Sequence, residues 1–282
     1  GFYNRYLHVD LTHQIATVES LSDETLARYL GGKGLAAHLL FEHAPAGVDP
    51  LAPESPLIIA TGPATGARLA PANRYALFAK SPLTGIFGES YAGGFVAPAV
   101  GATGYDAIVL QGAADEPVYL EIRPEGPAFH DASAFWGLDL YEAEEALEKD
   151  VGVHAPRAIV IGPAGENQVA FAVVGNDEGH VAGRTGMGAV LGAKRVKGIV
   201  FHGDRSRELF DPDGIAEYNR ELRRRGRESA GVRAFGRMGT PATAASVNMA
   251  QAFPSRYWSE GTVPHWKEIG AEAMAERFDI KH

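Results

Sequence analysis

The alternation of apolar and polar residues predicts a β-hairpin at the start of the chain. Residues 6–11 and 15–19 are two short alternating runs separated by a polar turn, which is typical of paired strands. Ser22 or Asp23 is placed to cap a first helix, which is expected to end at the pair of glycines that follows. A second helix is predicted over residues 35–41.

An apolar run that ends in Gly-Pro-Ala occurs twice, and this predicts an internal repeat. The copies cover about residues 57–112 and 158–203. Each is expected to consist of a strand, a Gly-Pro turn, a second strand, a glycine-rich loop, a short helix and a closing strand. Gly and Val are common, so chance similarity is an alternative. The matching pieces agree in order and spacing as well as in composition, and we therefore favour duplication.

Outside the two copies, the pattern predicts one strand at residues 118–122 and a helix at 140–149 with an acidic outer face. Near residue 210 the character changes. Asp211 is a candidate N-cap with Pro212 as the first helical residue, and Gly226 is expected to interrupt this helix. Further helical segments are predicted at residues 241–252 and 267–277.

The expected fold class is α+β. Duplicated mixed β-sheet units are predicted over residues 1–205, and a helical domain begins over residues 206–282. The composition, with 45% hydrophobic residues among 282, can fill a core of this size. The chain has no apolar run of the roughly 20 residues that span a bilayer, and its start lacks the regions of a signal peptide. We therefore expect a cytoplasmic protein without membrane contact.

Charge and cysteine content exclude several functions for this chain. The formal net charge of −9 argues against nucleic-acid binding, and the arginines of residues 220–227 alternate with glutamates as on a solvated helix face. The absence of cysteine excludes thiolate metal sites, a cysteine nucleophile and a cysteine-ligated iron-sulfur cluster made by this chain alone. The ten histidines are scattered without metal-ligand spacing.

Two glycine-rich segments in equivalent places of the repeat are the candidates for chemistry. They lie at residues 90–94 and 176–189. Glycines before a helix let the backbone approach a ligand and direct N–H groups at a phosphate. Arg74 and Arg184 can add bidentate phosphate contacts. Tight packing in a crowded sheet is the alternative explanation, but the recurrence of both glycines and arginine favours an anion site.

Known nucleotide motifs do not account for these glycines. Residues 31–34 lack the upstream glycine and the Ser or Thr of a P-loop. Residues 186–192 are one residue too long for the dinucleotide fingerprint and follow polar sequence instead of a strand. NAD binding is therefore the weaker alternative. The chain also shows neither a glycosidase-like carboxylate pair nor a GxSxG nucleophile motif.

Several longer motifs make the chain recognisable. They include YLHVDLT, LGGKGLAAHLL, RYALFAKSPLTG, GYDAIVLQG, IGPAGEN and GNDEGHVAGRTGMGAVLGAKRVKGI. Through them, residues 1 to about 203 resemble the N-terminal region of the tungsten-dependent aldehyde:ferredoxin oxidoreductase family. Residues 237–280 match more loosely and resemble the start of the family's helical second domain.

The resemblance implies that the β-sheet units form a base for a tungsten (or molybdenum) bis-pterin cofactor, whose phosphates are bridged by magnesium. Arg74 matches the arginine between pterin and iron-sulfur cluster. The other positions expected to line the cofactor are Tyr91, Ala92, Gly93, Gly94, His180, Val181, Gly183, Arg184 and Gly186. Val181 is expected to offer its backbone carbonyl to the magnesium. Tyr91 stands where the family usually has an asparagine ligand of that ion, so Ser90, a water or a shifted loop would have to replace it.

The resemblance also implies an activity of the intact enzyme, the oxidation of an aldehyde to a carboxylate. Its expected partner is ferredoxin or another electron-transfer subunit, and a homodimer is compatible with the family. The family's 4Fe–4S cysteines and acid/base residues lie beyond the position of His282, so no catalytic residue is assigned and this chain alone is expected to be inactive. Its end within a helical region favours truncation of a longer enzyme. A stand-alone, non-catalytic pterin-binding or assembly subunit is the alternative.

Overall fold

The computed structural model describes residues 1–69 and 72–278. The chain divides into two compact units, Gly1–Pro212 and Asp213–His282. Within the described ranges, no helix is both long enough and apolar enough to cross a membrane.

The first half of unit one is built on a six-stranded sheet in the order β2-β1-β6-β3-β4-β5. Its strands are β1 (Arg5–Asp10), β2 (Ile15–Ser20), β3 (Leu57–Thr61), β4 (Tyr75–Lys80), β5 (Phe87–Ala92) and β6 (Ala107–Gln111). The helices of this half are α1 (Asp23–Tyr29), α2 (Gly32–His43) and α3 (Val96–Ala102). The predicted hairpin and both early helices are confirmed, and Ser22 caps α1 by accepting a hydrogen bond from the backbone N–H of Thr25.

The second half repeats this construction in a sheet with the order β11-β10-β9-β12-β7-β8. Its strands are β7 (Val118–Arg123), β8 (Gly126–Asp131), β9 (Arg157–Val160), β10 (Val174–Asn176), β11 (His180–Ala182) and β12 (Val196–Phe201). Its helices are α4 (Leu140–Val151), α5 (Pro163–Glu166) and α6 (Met187–Ala193).

The two sheets have the same topology. In each, the opening hairpin strand pairs in parallel with the closing strand, as β1 does with β6 and β7 with β12, and the remaining neighbours are antiparallel. Every strand of the first sheet thus has a counterpart in the second. The correspondence also includes the hairpins β1–β2 and β7–β8, which lie outside the copies predicted from sequence. Together with the helices, this confirms the predicted α+β class.

A single core holds the two sheets together. One face of each sheet contributes to a cluster of fully buried side chains that also includes residues of α3 and α6. Both of these helices contact strands of both sheets. On its opposite face the first sheet packs against α2, and the second packs against α4. Burial of apolar surface stabilises a fold by about 25 cal/mol per Å². Because side chains from both sheets share this buried core, it holds one sheet in place on the other.

The prediction that both glycine-rich segments are loops was wrong in part. The glycine-rich segments were predicted as loops, but Tyr91 and Ala92 lie in β5 and His180 and Val181 lie in β11. Each of these strands is an edge strand with one antiparallel neighbour, β4 or β10, and this pairing overrides the local glycine content.

The second unit is helical. Its elements are α7 (Pro212–Glu228), α8 (Ala230–Met238), a 3-10 helix (Thr240–Thr243), α9 (Ala244–Met249), a 3-10 helix (Trp266–Ile269) and α10 (Ala271–Arg277). The predicted break at Gly226 was wrong, since α7 continues to Glu228. A glycine within a helix costs only about 1 kcal/mol. Arg224, which forms ion pairs with Glu221 and Glu228 one turn away on either side, supports the helix here.

Candidate functional site

The two glycine-rich segments meet where the edge strands of the two sheets run past each other. The backbone N–H of Arg184 donates to Ser90 Oγ at 3.0 Å, and the Thr185 hydroxyl donates to the Glu89 carbonyl at 3.2 Å. Farther along, a Cβ atom built on Gly93 would lie 3.4 Å from the ring of His180. We call this region, residues 89–95 and 176–185, the seam.

A buried amide links the two sheets at one end of the seam. Asn176, at the end of β10, accepts a hydrogen bond at 2.8 Å from the hydroxyl of Tyr75 in β4. Its Nδ2 donates to the carbonyl of Gly93 at 3.0 Å. Both side chains are almost completely buried, and burial raises the pKa of Tyr75 well above its usual value. The phenol is therefore a constant donor to Asn176.

Asp177 makes the second link across the seam. Its carboxylate accepts from the backbone N–H of Phe95 at 2.7 Å and from Asn176 Nδ2 at 2.7 Å. Gly94 adopts a φ of +90° beside it, and a Cβ at Gly94 would lie 2.1 Å from Asp177 Oδ2. The close approach and the positive φ together require glycine here.

The sequence prediction missed the contribution of Glu144. This α4 residue is buried, and its carboxylate accepts the backbone N–H groups of both Asp177 and Glu178, the latter at 3.1 Å. Asp177 and Glu178 have φ values of +46° and +52°, a conformation that side chains disfavour. The prediction of an acidic outer face for this helix was therefore wrong at Glu144. Spacing could have revealed it, because Glu144 follows Leu140 by four residues and precedes Leu147 by three, which places it on the apolar face.

The cationic candidates lie on the exposed side of the seam. Arg74 directly precedes Tyr75, the first residue of β4, whose register partner in β5 is Ala92. Arg74, His180 and Arg184 are all exposed. Neither guanidinium group forms a hydrogen bond or an ion pair within residues 1–69 and 72–278.

Tyr91 differs from the other candidates in the direction of its side chain. Successive side chains of a strand alternate between faces, and Ser90 points toward the second sheet. The ring of Tyr91 packs edge-on against Phe78. Its hydroxyl donates to Glu89 Oε2 at 3.0 Å. The Glu89 carboxylate also forms an ion pair with Lys33 of α2. Burial is the largest cause, and the hydrogen bond to Glu89 the next, of a rise in the pKa of Tyr91 to about 12. Its phenol is thus engaged on the α2 side of the sheet.

The remaining candidates are partly surface and partly packing positions. Ala92 is buried, whereas Val181 and Gly183 are exposed. Gly186 is buried at the start of α6 with a φ of +76°, and a Cβ there would lie 2.0 Å from the carbonyl oxygen of Ala170. Close packing therefore accounts for this glycine.

The arrangement is suited to holding an extended anion. The seam presents glycine backbone from both sheets and the exposed guanidinium group of Arg184, and Arg74 is exposed at the start of the neighbouring strand β4. In the part of the chain that the structure describes, no three His, Asp or Glu side chains are grouped so that they could hold a metal ion.

Comparison with known proteins gives a family match over most of the chain. Residues 6–203 match the family model described as "Aldehyde ferredoxin oxidoreductase, N-terminal domain". The tungsten-containing aldehyde ferredoxin oxidoreductase of Pyrococcus abyssi is 35% identical over 283 residues, a match that covers 100% of this chain and 47% of that protein. The chain thus spans about half the length of the curated relatives it matches.

Two further similar proteins have names that indicate other functions. The aliphatic sulfonate oxidoreductase, WOR-like subunit, of Pyrococcus furiosus is 33% identical over 277 residues, covering 92% of this chain and 44% of that protein. A solved structure, the active site complex BamBC of benzoyl coenzyme A reductase with 1,5-dienoyl-CoA, matches with a TM-score of 0.77 and 31% identity. That match covers 80% of this chain and 35% of the other.

Proposed function

Because the chain belongs to the aldehyde ferredoxin oxidoreductase family, we propose that its first unit binds the phosphates of a tungsten bis-pterin cofactor along the seam. The observation that carries the proposal is the meeting of two equivalent glycine-rich segments, one from each sheet, in a region where Arg74 and Arg184 are exposed. A ligand with two similar anionic halves suits a site with two similar halves.

The residues of the seam fit the phosphate groups of such a cofactor. Glycine at position 93 lets an anion approach the backbone, because a Cβ there would have only the His180 ring within 4 Å. Arg74 and Arg184 supply guanidinium groups that bind phosphate in a bidentate manner, and His180 lies against Gly93. These side chains bind and orient the cofactor.

Magnesium fits this seam less well, and we assign it no role. The hydroxyl of Tyr91 is bonded to Glu89 on the α2 side, and Ser90 Oγ accepts from the backbone of Arg184. Both side-chain oxygens that the first segment could offer to a cation are therefore engaged. The Val181 carbonyl would remain as the ligand from the second segment.

In the intact enzyme, the bound tungsten centre would supply the two-electron oxidation of an aldehyde to a carboxylate. This chain would contribute binding, orientation and electrostatics, with electrons passing to ferredoxin or another electron-transfer subunit. Any 4Fe–4S cluster must be ligated by residues outside these 282, because the sequence has no cysteine.

That the substrate is an aldehyde is proposed from the similar proteins. The sulfonate oxidoreductase and benzoyl coenzyme A reductase among the similar proteins carry other substrates in their names. We favour an aldehyde because the relatives that match along the whole chain are aldehyde oxidoreductases. The second candidate, a non-catalytic pterin-binding subunit, shares the seam and differs only in lacking the downstream chemistry.

An anaerobic titration of the purified chain with bis-pterin, followed by pterin fluorescence, tests the binding function. Arg74→Ala and Arg184→Ala are each expected to weaken binding at least tenfold, because each removes a charge-assisted phosphate contact. Arg123→Ala is the matched control, since Arg123 lies on β7 with β12, β9 and β10 between it and β11. Unchanged affinity in both seam variants would exclude the assignment.

A further inference from the structure

The buried amide of Asn176 uses both of its N–H donors, and two of its three hydrogen bonds cross the seam. It is 1% exposed. Its oxygen accepts from Tyr75, and its nitrogen donates to the Gly93 carbonyl and to Asp177. An amide has two N–H donors, and here both are used. The side chain therefore holds the first segment against the second and has no donor left for a ligand.

The turn that carries Asp177 is held in a costly conformation. Two successive non-glycine residues, Asp177 and Glu178, have positive φ, and Glu144 accepts both of their N–H groups. This turn places the Asp177 carboxylate within 2.7 Å of the Phe95 N–H. Backbone strain that the surroundings enforce is a feature of functional sites, and here its consequence is a fixed contact to the first segment.

We propose that Asn176 and Asp177 are positioning residues that set the spacing between the two halves of the cofactor site. The inference rests on the proposed function. Neither residue would touch the cofactor. Asn176 acts through the carbonyl of Gly93, and Asp177 acts through the N–H of Phe95, so the two bonds fix the segment that carries Gly93 and Gly94 relative to His180.

This role differs from ordinary core packing in what it predicts. Replacing a residue that only packs lowers the stability of the fold. The measured ligand affinity then falls only because a smaller fraction of the protein is folded. A positioning residue changes the geometry of a ligand that must contact both halves, so affinity falls at temperatures where the protein is fully folded.

The test uses the full chain with Tyr75→Phe and Asn176→Leu, singly and together. Tyr75→Phe removes one hydroxyl and is the milder change, whereas Asn176→Leu removes the contacts to Tyr75, Gly93 and Asp177. Tyr105→Phe is a matched control because Tyr105 is also buried and its hydroxyl contacts Pro124, outside the seam. Ile199→Val, in the shared core, controls for a loss of stability. Hydrogen exchange of the free protein, thermal unfolding and bis-pterin affinity are measured for each.

We expect exchange at residues 93–95 and 180–184 to rise at least tenfold in Asn176→Leu, and bis-pterin affinity to fall at least tenfold. Tyr75→Phe should raise the exchange rate at these residues and lower bis-pterin affinity, each by at least threefold. The double variant should resemble Asn176→Leu, because the Tyr75 hydroxyl acts through the Asn176 amide. Both controls should keep wild-type exchange at the seam and wild-type affinity.

The outcomes separate the inference from the proposed function. If Tyr75→Phe and Asn176→Leu bind bis-pterin with the same affinity as the two control variants, the positioning role is overturned. The proposed function would stand in that case. A wild-type chain that does not bind bis-pterin would overturn the proposed function, and the inference with it. If Asn176→Leu does not fold, Tyr75→Phe decides by the same criteria.

Discussion

Gly94 leaves no room for a side chain at the seam. Its Cβ would lie 2.1 Å from Asp177 Oδ2, and its φ is +90°. Gly47, by contrast, has a φ of +74° with no atom within 4 Å of a Cβ built on it. Comparing substitutions at Gly94 and Gly47 separates the free-energy cost of the steric clash from that of the positive φ.

Gly94→Ala should therefore lower the free energy of unfolding by about 2 kcal/mol more than Gly47→Ala does, because overpacking adds to the penalty for positive φ. Chemical denaturation of both variants measures this difference. Equal losses in the two variants would mean that the seam can open around a methyl group, and that its spacing is not fixed.

Residue types alone could indicate part of the candidate site. Arg74, Gly93 and Arg184 were predicted from their types and their places in the repeat. Gly93 and Arg184 lie where the two segments meet, and Arg74 directly precedes β4. Tyr75 and Asn176 could not be paired from sequence, because they are 101 positions apart along the chain. Only the packing of one sheet on the other brings them together.

At the scale of elements, the edge strands β5 and β11 contact each other through side chains. The link at Arg184 depends on Ser90, which is 1% exposed and accepts the backbone N–H. The sequence predicted the hydrophobic strands and capped helices because their patterns are local. It missed β5 and β11 as strands because glycine and polar residues mask the strand pattern, and their pairing with β4 and β10 is tertiary.

Ser90→Ala should accordingly cost about 1 kcal/mol of unfolding free energy, the usual contribution of one hydrogen bond, and should speed hydrogen exchange of the Arg184 amide. Ser133→Ala is the control, because the Ser133 hydroxyl donates to the nearby Asp131 carboxylate on the exposed surface, outside the seam. A variant in which the Arg184 amide exchanges at the wild-type rate would show that water or another acceptor replaces Ser90 without effect.

At the scale of the whole molecule, the site depends on the duplicated architecture of the first unit. The two sheets share one core and both contact α3 and α6, so the two glycine-rich segments are supported on a common base. The repeat in the sequence indicated this pairing, but the relative position of the sheets follows from side-chain packing that no local pattern encodes. The acidic net charge of −9 gives no indication of the exposed arginines Arg74 and Arg184.

The central claim is that the seam holds the anionic cofactor, and a hydrogen-exchange footprint tests it most directly. The purified chain is compared with and without bis-pterin under anaerobic conditions. We predict slower exchange at residues 93–95 and 180–185, with no change in the hairpin β7–β8 at the far edge of the second sheet. Bis-pterin binding that protects other segments and leaves the seam unchanged would contradict the account.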